Sequence, residues 1–409
     1  MTSVNKKIIC KGTCGKADCP VCIRLKAMYK AKPVLLKDNF FGSTPNIFVG
    51  RFGYPNVNVG ILSPTENLDT SYLCDAPKEW ANSKLKIPDI IDLRARLVNS
   101  RTNVDVKKKI KFLDVAKETA MSIKPVDVEV NLEKKPIFSM NYEQVAIPMG
   151  SNAQIKSANI TENVNIKKKV QKAVDETDVN ATKAINSLDK SGYDEYFLTK
   201  LLSAGNVGIG ANRKLVPTRY AITAVDDLIS KEHIKEIKTF NVIDDYEVYC
   251  ANNLGNHYIV ILLPDVFSYE LFETYLPESI WNDNSLAETG TDFETYDGRT
   301  TYAENCTGGY YAARIAITKK LLSMKKQATV LVFRFITDEY FAPLGVWNCR
   351  ETTKMSLESK PVKFSDIHLS LKYVWAFVKK KFGYDVNDLY KVSKILSIVT
   401  KQKKLHQFS

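Results

Sequence analysis

Gly205–Asp227 reads GNVGIGANRKLVPTRYAITAVDD, and the reading of this stretch decides the class of fold. Gly205, Gly208 and Gly210 leave the main chain free to turn its N–H groups inward, and Arg213, Lys214 and Arg219 follow at once with fixed positive charge. That combination suits a phosphate or a carboxylate, and a bound nucleotide is one such ligand. Two familiar nucleotide folds are nevertheless excluded. A Rossmann fingerprint needs a strand before its glycines, whereas Tyr193–Ser203 (YDEYFLTKLLS) has helical periodicity. A P-loop closes on Gly-Lys-Ser/Thr, which this stretch lacks. The alternative is a glycine-rich connection whose cations pair with acids such as Asp226 or Asp227.

Working outward, the same stretch offers candidates for proton transfer. Asp226 and Asp227 are adjacent, so their side chains diverge by about 100° on a helix or point to opposite faces of a strand, and they do not readily share one ion. His257 stands at the mouth of the second of two predicted strands, Tyr246–Ala251 and His257–Leu263, joined by a tight loop. It is the histidine to test as an acid or base, against the commoner role of donating to loop carbonyls. A second anion pattern lies in Tyr296–Arg314, where Arg299 precedes Thr307-Gly308-Gly309 at the start of a helix running to about Lys326. A plain Thr N-cap is the alternative there. Arg51 precedes the turn Gly53-Tyr54-Pro55-Asn56 inside a predicted hairpin, Phe40–Leu62, and either meets an anion or forms a cross-strand salt bridge.

The remaining text alternates helical and strand patterns, which predicts an α+β fold of mixed sheets and helices, neither Rossmann nor P-loop. Helices are predicted over Ile87–Asn99, Val104–Met121, Asn163–Leu188, Ser365–Phe382 and Val386–Lys401. Val126–Ile155 is β-like, Ala328–Ile336 is a buried strand, and Gly345–Arg350 is read as its neighbour. Length alone suggests two or three domains.

The chain has 409 residues, 44% of them hydrophobic, and a net charge of +12. Residues 1–37 carry nine Lys or Arg against Asp18, and 389–409 carry five Lys and no acid. Those ends hold +8 and +5 of the +12, so the body between is left at −1. Clustered cations on a near-neutral body suit a polyanionic partner, nucleic acid before membrane, because binding releases counterions. No apolar run reaches 18 residues and MTSVNKKIIC has no signal-peptide core, so a cytoplasmic protein without a membrane partner is expected.

Four of the eight cysteines fall in Cys10-x3-Cys14-x4-Cys19-x2-Cys22, with glycines and a proline supplying turns between them. Four thiolates at this spacing close a tetrahedral shell around structural Zn²⁺ and leave no open catalytic position. Disulfides and an iron–sulfur cluster are the rival readings. Cys74, Cys250, Cys306 and Cys349 are scattered and read as small buried hydrophobes. In the last residues, Leu405 and Phe408 are three apart and share one face of a 3₁₀ turn, an apolar plug for a pocket on another protein; a frayed tail is the alternative.

Several passages resemble one family, the archaeal Nre proteins implicated in DNA repair. They are the Cys10, Cys14, Cys19 and Cys22 cluster, FVGRFGYPNVNVG at 48–60, RKLVPTRYAITAVDD at 213–227, YEVYCANNLGNHY at 246–258, GGYYAARIAI at 308–317 and PLGVWNCRE at 343–351. The resemblance implies a basic N-terminal zinc-binding segment, placed at 1–37, a large N-terminal α+β domain at 38–285, a smaller C-terminal α+β domain at 286–400, and a terminal motif in the tail 401–409 that docks on the sliding clamp, the proliferating cell nuclear antigen. Gln402, Leu405 and Phe408 match that motif; Ser409 stands where it has its last aromatic, so one ring fewer enters the clamp. Two functions are therefore expected in competition. One is a repair factor tethered to the clamp by its tail and to DNA by its basic ends. The other is a hydrolase or transferase acting on a nucleotide, NAD or ADP-ribose, or a DNA end through the Gly205–Asp227 region and His257.

Overall fold

The computed structural model describes residues 14, 19, 21–23, 25–27, 37–67, 69–136, 150–277, 279–282 and 284–401. Within them the chain forms two compact units, one reaching Ile229 and including Ala342–Gly345, the other comprising Ser230–Phe341 and Val346 onward. Each is built from helices and one mixed six-stranded sheet, the α+β class expected.

In the first unit the strands are β1 (Asn39–Thr44), β2 (Asn46–Val49), β3 (Asn56–Pro64), β4 (Leu97–Asp105), β5 (Val126–Leu132) and β6 (Asn152–Ile160), in spatial order β1-β5-β6-β4-β3-β2. All neighbours are antiparallel except β4 and β6. The two-residue period explains the arrangement. In VDVEVNL, Val126, Val128, Val130 and Leu132 are buried while Glu129 between them is exposed, so one face meets the core. That core joins Val57, Val59, Ile61 and Val98 to Leu113 and Ala116 of the helix Lys111–Met121. The predicted hairpin forms between β2 and β3, with Val49 opposite Val59. Its turn uses Gly53 at φ +82, where a Cβ would come within 2.7 Å of the Asn56 carbonyl.

Two helix boundaries differ from expectation. The helix from Ile87 stops at Ala95, and Leu97–Asp105 is a strand held by β3 on one side and β6 on the other. Ladder hydrogen bonds from both neighbours override the helical spacing of its apolar residues. Lys107, Lys108 and Lys109 consequently lie exposed in a loop before the helix that begins at Lys111.

The second unit arranges β7 (Tyr246–Asn253), β8 (Asn256–Leu263), β9 (Ser268–Tyr275), β10 (Glu288–Glu294), β11 (Thr329–Ile336) and β12 (Val362–Phe364) in the order β10-β9-β11-β8-β7-β12. Only β9 and β11 are parallel. Every residue of β8 and β11 is buried, as their continuous apolar runs predict for strands covered on both faces. Val260, Leu262, Val330 and Val332 pack with Tyr310, Ala313 and Ile317 of the helix Thr307–Met324 on one face. Ile259, Ile261, Leu331 and Phe333 pack with Val374, Val378, Leu389 and Ile395 of the C-terminal helices on the other. Leu254 (φ +50) and Gly255 (φ +75) form the tight β7–β8 turn, the left-handed pair that a two-residue hairpin loop requires.

The predicted strand at Gly345–Arg350 is instead the start of a helix, Trp347–Glu358, buried from Trp347 to Thr353. Two of its hydroxyls are answered within the helix: Thr353 donates to the Cys349 carbonyl (2.7 Å) and Ser356 to the Thr352 carbonyl (2.9 Å). Helical burial of aromatic and β-branched residues mimics strand composition. The last described helix, Lys394–Lys401, is fixed at its N-terminus by β9: the buried carboxylate of Glu270 accepts from the Lys394 and Ile395 N–H groups (3.0 and 3.1 Å) and from the Ser393 hydroxyl. Among the described residues no helix is long and apolar enough to cross a membrane.

Candidate functional site

The glycines of Gly205–Asp227 end a helix. Glu195–Ser203 starts at Asp194, whose carboxylate accepts the Phe197 N–H (2.9 Å). It stops where Gly205 takes φ +71, its N–H reaching the Leu202 carbonyl (3.0 Å) and that of Asn206 reaching Leu201 (3.1 Å). This is the Schellman termination, with glycine in the left-handed position it demands. A Cβ there would lie 2.5 Å from the Lys214 carbonyl. Gly208 is also left-handed (φ +114), and the Gly210 N–H donates to the Thr177 carbonyl (2.7 Å). The N–H groups of Gly205 and Gly210 are thus engaged by the chain itself.

The cations behind these glycines divide into two kinds. Arg213, half-buried, donates to three main-chain carbonyls, Gly208 (2.7 Å), Val174 (2.7 Å) and Glu176 (2.9 Å), and burial lowers its pKa. It stitches the loop. Lys214 and Arg219 are exposed. Lys214 Nζ donates to the Tyr54 hydroxyl (3.0 Å), which brings the β2–β3 turn alongside. Arg51, also exposed, lies over the Phe52 ring at 4.7 Å. The structure therefore collects Arg51, Lys214 and Arg219 on one edge of the first unit and leaves Arg213 in the scaffold.

Asp226 and Asp227 lie on the helix Thr218–Ile237, Asp226 fully buried and Asp227 half-buried, with their side chains diverging as helical geometry requires. His257 belongs to the second unit, on β8, opposite Asn252 and Phe335. It is 6% exposed, its Nδ1 has no hydrogen-bond partner among the described residues, and its ring meets the Phe382 ring edge-on at 5.0 Å. Burial, reinforced by the Lys381 charge, pushes its pKa down to about 4, so the imidazole is neutral at pH 7.

At the second glycine pattern the anion is the protein's own. Asp292 on β10 accepts the N–H groups of Asn305 (2.9 Å) and Cys306 (2.7 Å) before the helix Thr307–Met324, and pairs with Arg299 at 2.8 Å. Arg299 further donates to the carbonyls of Thr301, Phe293 and Tyr302. Gly308 is half-buried in the first turn. Gly309 beside it admits the buried carboxylate of Glu273, which pairs with Arg334 at 2.6 Å.

The sulfur atoms of Cys14, Cys19 and Cys22 lie within 4.8 Å of one another, with Cys14 Sγ and Cys22 Sγ 3.5 Å apart. Tetrahedral thiolates at Zn–S distances of about 2.3 Å stand about 3.8 Å from each other, so these three fit three corners of a zinc shell. Cys10, the expected fourth ligand, lies outside the described residues, as do Gln402, Leu405 and Phe408. Of the scattered thiols, Cys74, Cys306 and Cys349 are buried and Cys250 half-buried, and burial raises the pKa of each.

Two family profiles cover nearly the whole sequence, the archaeal Nre N-terminal region over residues 13–282 and the archaeal Nre C-terminal region over 294–408. The chain belongs to the archaeal Nre family. Similar relatives include the DNA repair protein NreA of Haloferax volcanii, 35% identical over 79% of this chain and 79% of that protein. The DNA repair protein NreB of Archaeoglobus fulgidus is 34% identical over 90% of this chain and 92% of its own. The NreA of the same organism is 36% identical over 87% and 89%. No solved structure matches the chain.

In this Nre protein the sequence reading passed over three residues of the cationic edge. Phe52 (69% exposed), Tyr54 (50%) and Tyr220 (54%) stand out in solvent beside Arg51, Lys214 and Arg219. The available signal was an aromatic next to a cation in each segment, Arg51-Phe52 and Arg219-Tyr220.

Proposed function

We propose that this Nre protein is a DNA-repair factor that docks on the sliding clamp through Gln402, Leu405 and Phe408 and holds DNA with its two basic ends. The observation that carries this reading is the relatives' shared name, DNA repair protein, at 34–36% identity over most of the chain. The charge distribution supports it, since the cations lie at the ends that would grip a clamp and a phosphate backbone. Cys10, Cys14, Cys19 and Cys22 would hold a structural Zn²⁺ that fixes the basic N-terminal segment. At the central edge, contact with a nucleotide or DNA phosphate falls to Arg51, Lys214 and Arg219, because the Gly205 and Gly210 N–H groups are already engaged.

Titration of the full chain against an archaeal sliding clamp tests the central claim. The pair Leu405→Ala and Phe408→Ala should abolish clamp binding and leave the melting temperature unchanged; binding equal to the parent rejects the contact. DNA affinity that ignores salt rejects a role for the basic ends.

A further inference from the structure

The edge described above is more than a set of phosphate contacts. Three segments distant in sequence are pinned together there by hydrogen bonds from main-chain N–H groups. Val106 N–H donates to the Pro55 carbonyl (3.0 Å), Leu215 N–H to the Val106 carbonyl (3.0 Å), and Val49 N–H to the Thr218 hydroxyl (2.9 Å). These bonds set the turn 50–56, the loop 105–111 and the segment 213–220 side by side. Together the three hold eight Lys or Arg and one acid, Asp105, whose carboxylate is turned to the Lys107 N–H (2.9 Å). With Arg213 committed to carbonyls, the exposed cations are dense and locally unopposed within these segments, a charge pattern complementary to a polyanion.

Charge alone would suit any nucleic acid. The rings narrow the choice. Phe52 has no polar atom to hold it in water, yet it is the most exposed of the three, with Arg51 against one face. Tyr54 has the Lys214 ammonium 5.7 Å from its centroid, and Tyr220 opens the helix Thr218–Ile237 next to Arg219. Exposed rings interleaved with cations are the recognition chemistry of unpaired bases, which stack on an aromatic face while the backbone runs along fixed charge. A duplex hides its base faces and gains nothing from such rings.

The geometry points to a binding platform for single-stranded DNA formed by Phe52, Tyr54 and Tyr220 with Arg51, Lys214 and Arg219. It rests on the DNA-repair reading above and adds to the basic ends a second site of DNA contact at the edge of the first sheet.

The test is fluorescence anisotropy of a labelled oligothymidylate with the full chain across a salt series. The double variant Phe52→Ala/Tyr54→Ala should weaken binding roughly 10-fold or more, with the salt slope and melting temperature unchanged. The double variant Lys214→Gln/Arg219→Gln should instead reduce the slope of log affinity against log salt by about 1.4, at roughly 0.7 per phosphate contact on a single strand. If the parent binds and the ring variant binds equally well, the platform is overturned while the DNA reading stands. Equal affinity for a duplex, or preference for a ribo-oligonucleotide of the same sequence, overturns it as well. If the parent binds no oligonucleotide even at low salt, the DNA reading itself falls.

Discussion

Glu273 places its carboxylate in the space that a side chain at Gly309 would occupy. The carboxylate is held there by Arg334, itself fixed by Asn256, and all are buried. Glu273 has its pKa raised by burial, which the Arg334 charge opposes. A methyl group at 309 therefore has to displace a buried ion pair rather than a free side chain. Gly309→Ala is expected to cost about 3 kcal/mol, within the range for breaking such a pair. Urea unfolding at neutral pH would measure it, and a change under 1 kcal/mol would mean that the pair relaxes easily.

His257 predicts a pH dependence. Its pKa is about 4 in the folded protein and about 6.5 unfolded, so above pH 6.5 it is neutral in both states and contributes nothing. Below that, the unfolded chain takes up a proton that the fold refuses, and stability falls until the pH reaches about 4. At pH 5 the loss is on the order of 2 kcal/mol. His257→Leu should flatten the stability difference between pH 7 and pH 5; an undiminished difference would assign it to other groups.

Arg213 is expected to matter for stability before it matters for ligands. Arg213→Ala strips donors from the carbonyls of Gly208, Val174 and Glu176 and should destabilise the first unit by about 1–2 kcal/mol. Arg213→Lys should recover little of this, since one ammonium cannot span three acceptors as the planar fork does. Recovery of full stability in the lysine variant would show that charge, and not the fork, is what the loop needs.

Metal analysis of the purified chain should return one zinc per molecule, and Cys14→Ser with Cys22→Ser should remove it. Chelation should lower the melting temperature of the parent and leave that of the double variant unchanged. Iron with visible absorbance in place of zinc would assign the thiols to a cluster.

Much of the fold was legible in the sequence. The apolar runs at 257–263 and 328–336 read correctly as strands, and the tight loop 252–256 between β7 and β8 declared itself by composition. Leu97–Asp105 and Trp347–Glu358 were not legible, because their state depends on what packs around them rather than on local spacing. Gly205 carried its own signal, a glycine just past a helix, but an anion cradle and a helix stop share that signal until the N–H partners are known. The aromatic edge was hidden for another reason. Its parts come from two segments, 51–54 and 214–220, about 160 residues apart, which no linear motif joins.

The carboxylate of Glu270 has a mechanical consequence. It clasps the first turn of the helix that leads into residues 402–408, and it sits on β9, between β10 and β11 in the sheet. Force on the far end of that helix would strain its last turns first, and Glu270, with the buried Ile395 and Leu396, would keep the first turn on the sheet until the end.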